Sequence, residues 1–268
     1  MPLQKLTLKP GINKEVTRYA AGNGWYDCDK VRFRFSFPEK IGGWARISGN
    51  TFQGICRSLW AWISLTGAKL VGIGTHLKFY IELGGIYYDI TPIRATTTNA
   101  ATFAATNGST TITVTDSSHG AVIGDFVTFS SAASLGGVIT AAILNAEHQI
   151  VLVPTTNTYT FTASVAANSS DSGNGGGATD AAYQISVGPE TVIPLIGFGA
   201  GKWGTSTFNV GGTSSVSLRQ WSQSNFGEDL VFGPRGGAPY YWDNTNAVTT
   251  RGVALSSLSG ASNTPTVQ

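Results

Sequence analysis

Asp27 and Asp29 flank Cys28, and at strand spacing both carboxylates fall on one face. Paired carboxylates could hold a cation or share acid–base work. The plainer reading is a pair of turn acids bound to Lys30, Arg32 or Arg34. His119, with Asp116 and Asp125, offers a second constellation, for a metal ion or a general base. Its plainer reading is a turn histidine closing a hairpin. Gly72-Ile-Gly74 and Gly173–Gly177 are not phosphate loops, because neither precedes Lys-Ser/Thr and neither opens a helix. There is no Gly-x-Ser-x-Gly nucleophile elbow, and no carboxylate pair set up for glycoside hydrolysis. Cys28 and Cys56 have no metal-ligand spacing, and three scattered histidines do not complete one. Free thiols are the default for them, with a Cys28–Cys56 bridge as the alternative. Trp60, Trp62, Tyr87, Tyr88, Tyr240, Tyr241 and Trp242 could stack on sugars or bases, but their strand positions suit a core. No catalytic residue is identified, and no metal or other cofactor is expected.

The elements that would position these residues are strands. Only 12% of the 268 residues are charged, about half the average share. Glycine reaches 34 residues, and Ser, Thr and Asn recur throughout. That is the composition of many short strands joined by tight turns, with too much apolar content for overall disorder. The strongest pattern lies between Gly24 and Trp44, where Val31, Phe33, Phe35 and Phe37 alternate with Arg32, Arg34 and Ser36. A period of two puts the aromatic rings on one face of a single strand and both guanidinium groups on the other. Pro38 would end that strand or mark its edge. Arg32 and Arg34 are therefore candidate subunit contacts. Residues 1–23 read as an arm, whose Leu3, Leu6 and Leu8 would pack on a neighbouring surface.

Residues 55–92 read as a four-strand unit, with strands at 58–64, 69–75, 77–82 and 86–91 and turns at 66–67 and 84–85. A weaker echo follows residue 215, at 216–221, 229–233 and 236–243. Repeated antiparallel sheets of about four strands are the pattern of β-propeller blades, although two copies do not close a ring. Between them, 95–182 reads as a small inserted β domain with strands at 110–115, 126–129, 148–153 and 158–162, closed by a flexible Gly/Ser linker at 169–177. Residues 183–268 return to the platform begun at 24–94, with 197–204 as a long surface loop. The fold class is all-β: propeller-like antiparallel blades with an inserted small β domain.

The charge is unevenly placed. Before residue 60 there are ten Lys or Arg against four acids, whereas 95–182 holds five acids and neither Lys nor Arg. The basic part could face nucleic acid or an acidic protein, or be a solvated or subunit-contacting strand face. The N-terminus has no signal-peptide core, and the apolar run 58–74 is too short and too polar to span a bilayer.

Four groups of residues carry a family resemblance. Pro10-Gly-Ile-Asn, Gly24-Trp-Tyr-Asp, Asp29-Lys-Val-Arg-Phe-Arg and Pro38-Glu-Lys-Ile-Gly-Gly-Trp44 resemble the start of the tail nozzle, or tail tubular, proteins of short-tailed bacteriophages. Leu70-Val-Gly-Ile-Gly-Thr75 with Tyr88-Asp-Ile-Thr-Pro92 resembles the blade that follows in them. His119-Gly with Gly124-Asp-Phe-Val-Thr-Phe129 resembles a module inserted in such proteins. Trp221, Asn225-Phe-Gly-Glu-Asp-Leu230, Pro234-Arg-Gly-Gly237 and Tyr241-Trp-Asp243 resemble the segment after it. The resemblance implies a virion protein of the tail that forms a ring with copies of itself, usually six. The ring would meet a head–tail adaptor on one side and fibres or spikes on the other, around a channel that passes genomic DNA without sequence specificity. It implies no enzyme activity, and a chain continuing beyond Gln268. Two other classes stay open: a receptor- or glycan-binding tail or spike protein with 95–182 as its head, and a glycan-cleaving enzyme on a propeller scaffold.

Overall fold

The computed structural model describes residues 9–20, 22–43, 45–46, 48–188 and 219–261, without side chains for 172–177. Leu3, Leu6, Leu8 and the 197–204 loop lie outside the described residues. The chain divides into two compact units, Met1–Gly49 and Asn50–Gln268. Among the described residues all extended pairings are antiparallel apart from one isolated bridge, Ile12 to Trp25.

In the first unit, β1 (Val31–Arg34) pairs with β2 (Phe37–Lys40). This corrects the single strand expected through Phe37. Phe35 and Ser36 have φ of 50° and 69°, the left-handed values that a two-residue hairpin turn requires. The alternation holds from Val31 to Arg34, half-buried and exposed by turns. It fails at Phe35 and Phe37, which are 84% and 74% exposed. Of the two readings of Pro38 the edge holds: it sits in β2 opposite Phe33. Each strand of a two-stranded ribbon is an edge, where a missing N–H is tolerated.

The second unit begins with a meander of four strands, β3 (Cys56–Ile63), β4 (Lys69–Thr75), β5 (Phe79–Leu83) and β6 (Ile86–Asp89), in that spatial order. Gly67, Gly84 and Gly85 take positive φ at two of its turns. After β6 the chain enters a seven-stranded sheet made of β7 (Ile93–Ala105), β8 (Thr111–Thr115), β9 (Phe126–Ser130), β10 (Glu147–Gln149), β11 (Leu152–Thr155), β12 (Thr158–Thr162) and β13 (Asp171–Gln184). One short helix, α1 (Ala141–Leu144), precedes β10. The chain then forms a second four-stranded sheet, β14 (Trp221–Phe226), β15 (Asp229–Pro234), β16 (Tyr240–Trp242) and β17 (Val253–Ala254), again in sequence order.

Two expectations change in the seven-stranded sheet. The strand expected over 148–153 is two strands. β10 pairs with β9 and β11 with β12, at opposite edges of the sheet. Buried Ile150 and its neighbour Val151 connect those edges, so the sheet curls back toward itself without closing. The linker expected at 169–177 belongs largely to β13, which pairs with β7 through several register shifts. Backbone ladders need no side chains, so a glycine run can pair where a partner strand is fixed beside it. β7, a 13-residue strand, lies in a Thr/Ala-rich stretch with no strong alternation and was not anticipated.

The two four-stranded sheets share one core. Trp62, Leu70, Phe79 and Ile81 meet Trp221, Leu230, Phe232 and Trp242. Phe79 stacks on Phe232 at 4.3 Å and meets Trp221 edge-on at 4.9 Å. Each fully buried ring of this size contributes about 1.5–3 kcal/mol. Gly72 and Gly74 lie where the sheets approach closest: a Cβ on Gly74 would come within 2.5 Å of the Trp221 ring. The seven-stranded sheet has its own core around Phe103, Phe129, Tyr159 and Phe161.

Candidate functional site

The structure first separates the residues singled out as possible chemistry. Asp27 pairs with Lys14 at 3.1 Å, and Asp29 with Lys30 at 3.9 Å. The Lys14 hydrogen bond and charge hold the Asp27 carboxyl below the usual range. Asp27 was expected to pair with Lys30, Arg32 or Arg34; the β-hairpin instead gives Arg32 to Glu39, directly opposite it, at 3.1 Å. The Arg34 guanidinium lies 5.4 Å from the centre of the Phe35 ring. Arg32 and Arg34 remain on the exposed face of β1. Cys28 and Cys56 are free thiols.

His119 and its two aspartates do not converge. His119 is buried, and its Nδ1 accepts the Ala121 N–H at 3.0 Å. Asp125 accepts the Val122 N–H at 3.0 Å, so both close the 118–125 turn. Asp116 serves a different purpose: its Oδ2 accepts the Tyr183 and Thr97 hydroxyls, each at 2.6 Å. The Tyr159 hydroxyl lies 2.9 Å from that of Tyr183. Burial, with Tyr159 and Asp116 alongside, pushes the Tyr183 phenol far up, so it stays a donor to the carboxylate. Among the described residues no group of His, Cys, Asp and Glu could hold a metal ion, and no helix is long and apolar enough to cross a membrane.

Two surfaces and one buried cluster remain. An open groove of about 760 Å³ runs between the 118–122 turn and residues 153–156. Its floor includes His119, and its walls are mostly apolar with hydroxyls from Ser118, Thr155 and Thr156. The second surface is the free side of β3, an edge strand. Leu59 and Ile63 lie there 65% and 64% exposed, with Ile55 at 64% and Leu65 at 91% beyond its two ends. Trp62, on the opposite side of the same strand, is in the core. The alternation is therefore apolar on both faces.

The buried cluster joins the seven-stranded sheet to the other two, and sequence reading missed it. Thr75 Oγ1 accepts the Leu77 and Lys78 N–H groups and bonds the Lys78 carbonyl, which fixes the turn before β5. That turn drives the Lys78 side chain inward until the residue is 3% exposed. Its Nζ lies 2.9 Å from Asp89 Oδ2, touches Glu147 Oε1 and sits 4.5 Å from the Phe126 ring. Arg251 bridges the same carboxylates, 3.3 Å from Asp89 and 3.6 Å from Glu147. Gln184 adds a bond to Glu147 at 2.6 Å. Burial alone would raise the Asp89 pKa, but the Lys78 and Arg251 charges outweigh it and hold the carboxyl below its usual range. The one legible signal was the stretch 95–182 with acids and no bases: Glu147 finds its cations outside that stretch.

No family model matches the chain, and no curated protein matches it. Among solved structures it is similar to the phage phi92 endosialidase, at 15% identity and a TM-score of 0.31, over 87% of this chain and 33% of that one. The chain thus spans about a third of that protein's length. At this score the likeness leaves both fold and function to be argued from the residues.

Proposed function

We propose that this chain is a structural component of a short bacteriophage tail. It assembles head-to-tail with copies of itself into a ring, the nozzle, that continues the genome-ejection channel between a head–tail adaptor and fibres or spikes. The residue resemblances between Pro10 and Asp243 support the tail reading. The observation that carries the assembly reading is the exposed apolar side of β3. Apolar rows of that size on a protein surface mark places where another polypeptide packs. The two outer faces of a pair of packed sheets point opposite ways, so contact between unlike faces of successive copies propagates and can close a ring. The test is the particle formed by the purified full chain, by light scattering and negative-stain imaging. Leu59→Glu with Ile63→Glu is expected to abolish assembly while both cores keep their melting behaviour. Arg32→Glu with Arg34→Glu is expected to weaken it. A chain that stays monomeric at high concentration overturns the ring.

A second reading, a receptor- or glycan-binding tail protein, is favoured by the groove between 118–122 and 153–156. Its neutral, hydroxyl-bearing walls suit an uncharged polyol more than an ionic ligand. Retention of host-surface glycans by the full chain, lost on Val153→Arg, would support it.

A further inference from the structure

We propose that Lys78 and Asp89 condense to a side-chain amide, an isopeptide bond, with Glu147 relaying the proton. The reacting groups are already in contact, at 2.9 Å from Nζ to Oδ2. They are also held from both sides. The Thr75 turn fixes Lys78, while the Thr91 N–H bonds Asp89 Oδ1 at 2.9 Å. Holding reactants in this way replaces an encounter by an intramolecular step. Lys78 is buried and the Phe126 ring covers its ammonium, while the Asp89 and Glu147 carboxylates keep 20% and 24% exposure.

The step balances without any co-reactant. The Lys78 ammonium gives a proton to Glu147, which passes it to the Asp89 carboxylate. The freed amine attacks Cγ of Asp89, a C–N bond forms and one C–O bond breaks. The departing oxygen leaves as water carrying two protons that both came from the ammonium. Before the step the cluster holds two cations, Lys78 and Arg251, and two anions, Asp89 and Glu147. Afterwards Arg251 and Glu147 remain, so the site stays neutral with one buried ion pair fewer, and burying ion pairs is costly. Arg251 opposes the second transfer, onto Asp89, because it holds that carboxylate ionised; a slow reaction after folding is the consequence. The bond would tie the turn before β5 to the end of β6, where the chain leaves for the seven-stranded sheet. It stands independently of the tail reading.

The test is the intact mass of the full chain under denaturing conditions. Wild type is expected one water lighter than its sequence requires, with a branched proteolytic peptide joining Lys78 to Asp89. Glu147→Gln and Lys78→Met are each expected to keep the full mass. Should a variant fail to fold, the wild-type mass still decides. A wild-type chain at full mass after prolonged incubation overturns the bond, and a branch mapped to Glu147 overturns the assignment of Asp89.

Discussion

Two residues show how little slack the cores have. Gly74 faces Trp221 so closely that any side chain must displace a buried ring. Gly74→Ala is therefore expected to destabilise the chain by about 2 kcal/mol, read as a lowered denaturant midpoint with unchanged slope. This also explains the Gly72-Ile-Gly74 spacing, which in sequence is not that of a phosphate loop. Tyr183 illustrates buried polar pairing. Its hydroxyl is one of two donors to Asp116, itself 2% exposed. Tyr183→Phe removes that donor and should cost about 1–3 kcal/mol. A variant as stable as wild type would show that Asp116 had found another partner.

At the scale of elements, the hairpin of β1 and β2 carries a cost that its turn residues do not relieve. Phe35 and Ser36 occupy backbone positions that favour Asn and Gly. Left-handed geometry costs an L-residue about 1–2 kcal/mol. Phe35→Asn with Ser36→Gly is expected to stabilise the hairpin by roughly that amount per site, measured by slower amide exchange at residues 31–34 and 37–40. The alternating run through Phe37 could not reveal the turn. Periodicity records which faces are apolar, and a two-residue reversal in mid-pattern preserves the count while breaking the face. The first four-strand unit was easier to read, because glycine turns separate apolar runs of strand length there; in the second, β14 runs over Trp221–Phe226 where 216–221 was expected, and β17 was not anticipated. β7 and β13 were not legible, because their pairing is set by each other's backbone and not by an apolar pattern.

At the scale of the whole molecule, acid should act in two stages. Burial holds the His148 pKa below its usual 6.5, despite carbonyl acceptors at Ile143 and Leu144. The unfolded chain therefore takes up this proton first, and stability is lost as pH falls below ~6.5. In the chain that has not yet condensed Lys78 with Asp89, the Asp89 carboxyl, with its pKa depressed, contributes stability present above ~4 and lost as pH falls further. Asp125 works the other way, since burial raises its pKa and its neutral form favours the fold. Denaturant midpoints across pH 7 to 3, a range of ~4 units, should show both stages for freshly prepared wild type that still has its full mass and lose the first in His148→Phe. A flat profile above the carboxylate range would sink this assignment. By itself, the sequence determined an all-β chain and the four-strand unit expected at 55–92, because turn glycines and alternation are local properties. Only the tertiary structure decided that Lys78, Asp89, Glu147 and Arg251 meet, that β10 and β11 part to opposite edges, and that β3 keeps an apolar side exposed. Each of those depends on which distant strands become neighbours, and distance along the chain does not encode that.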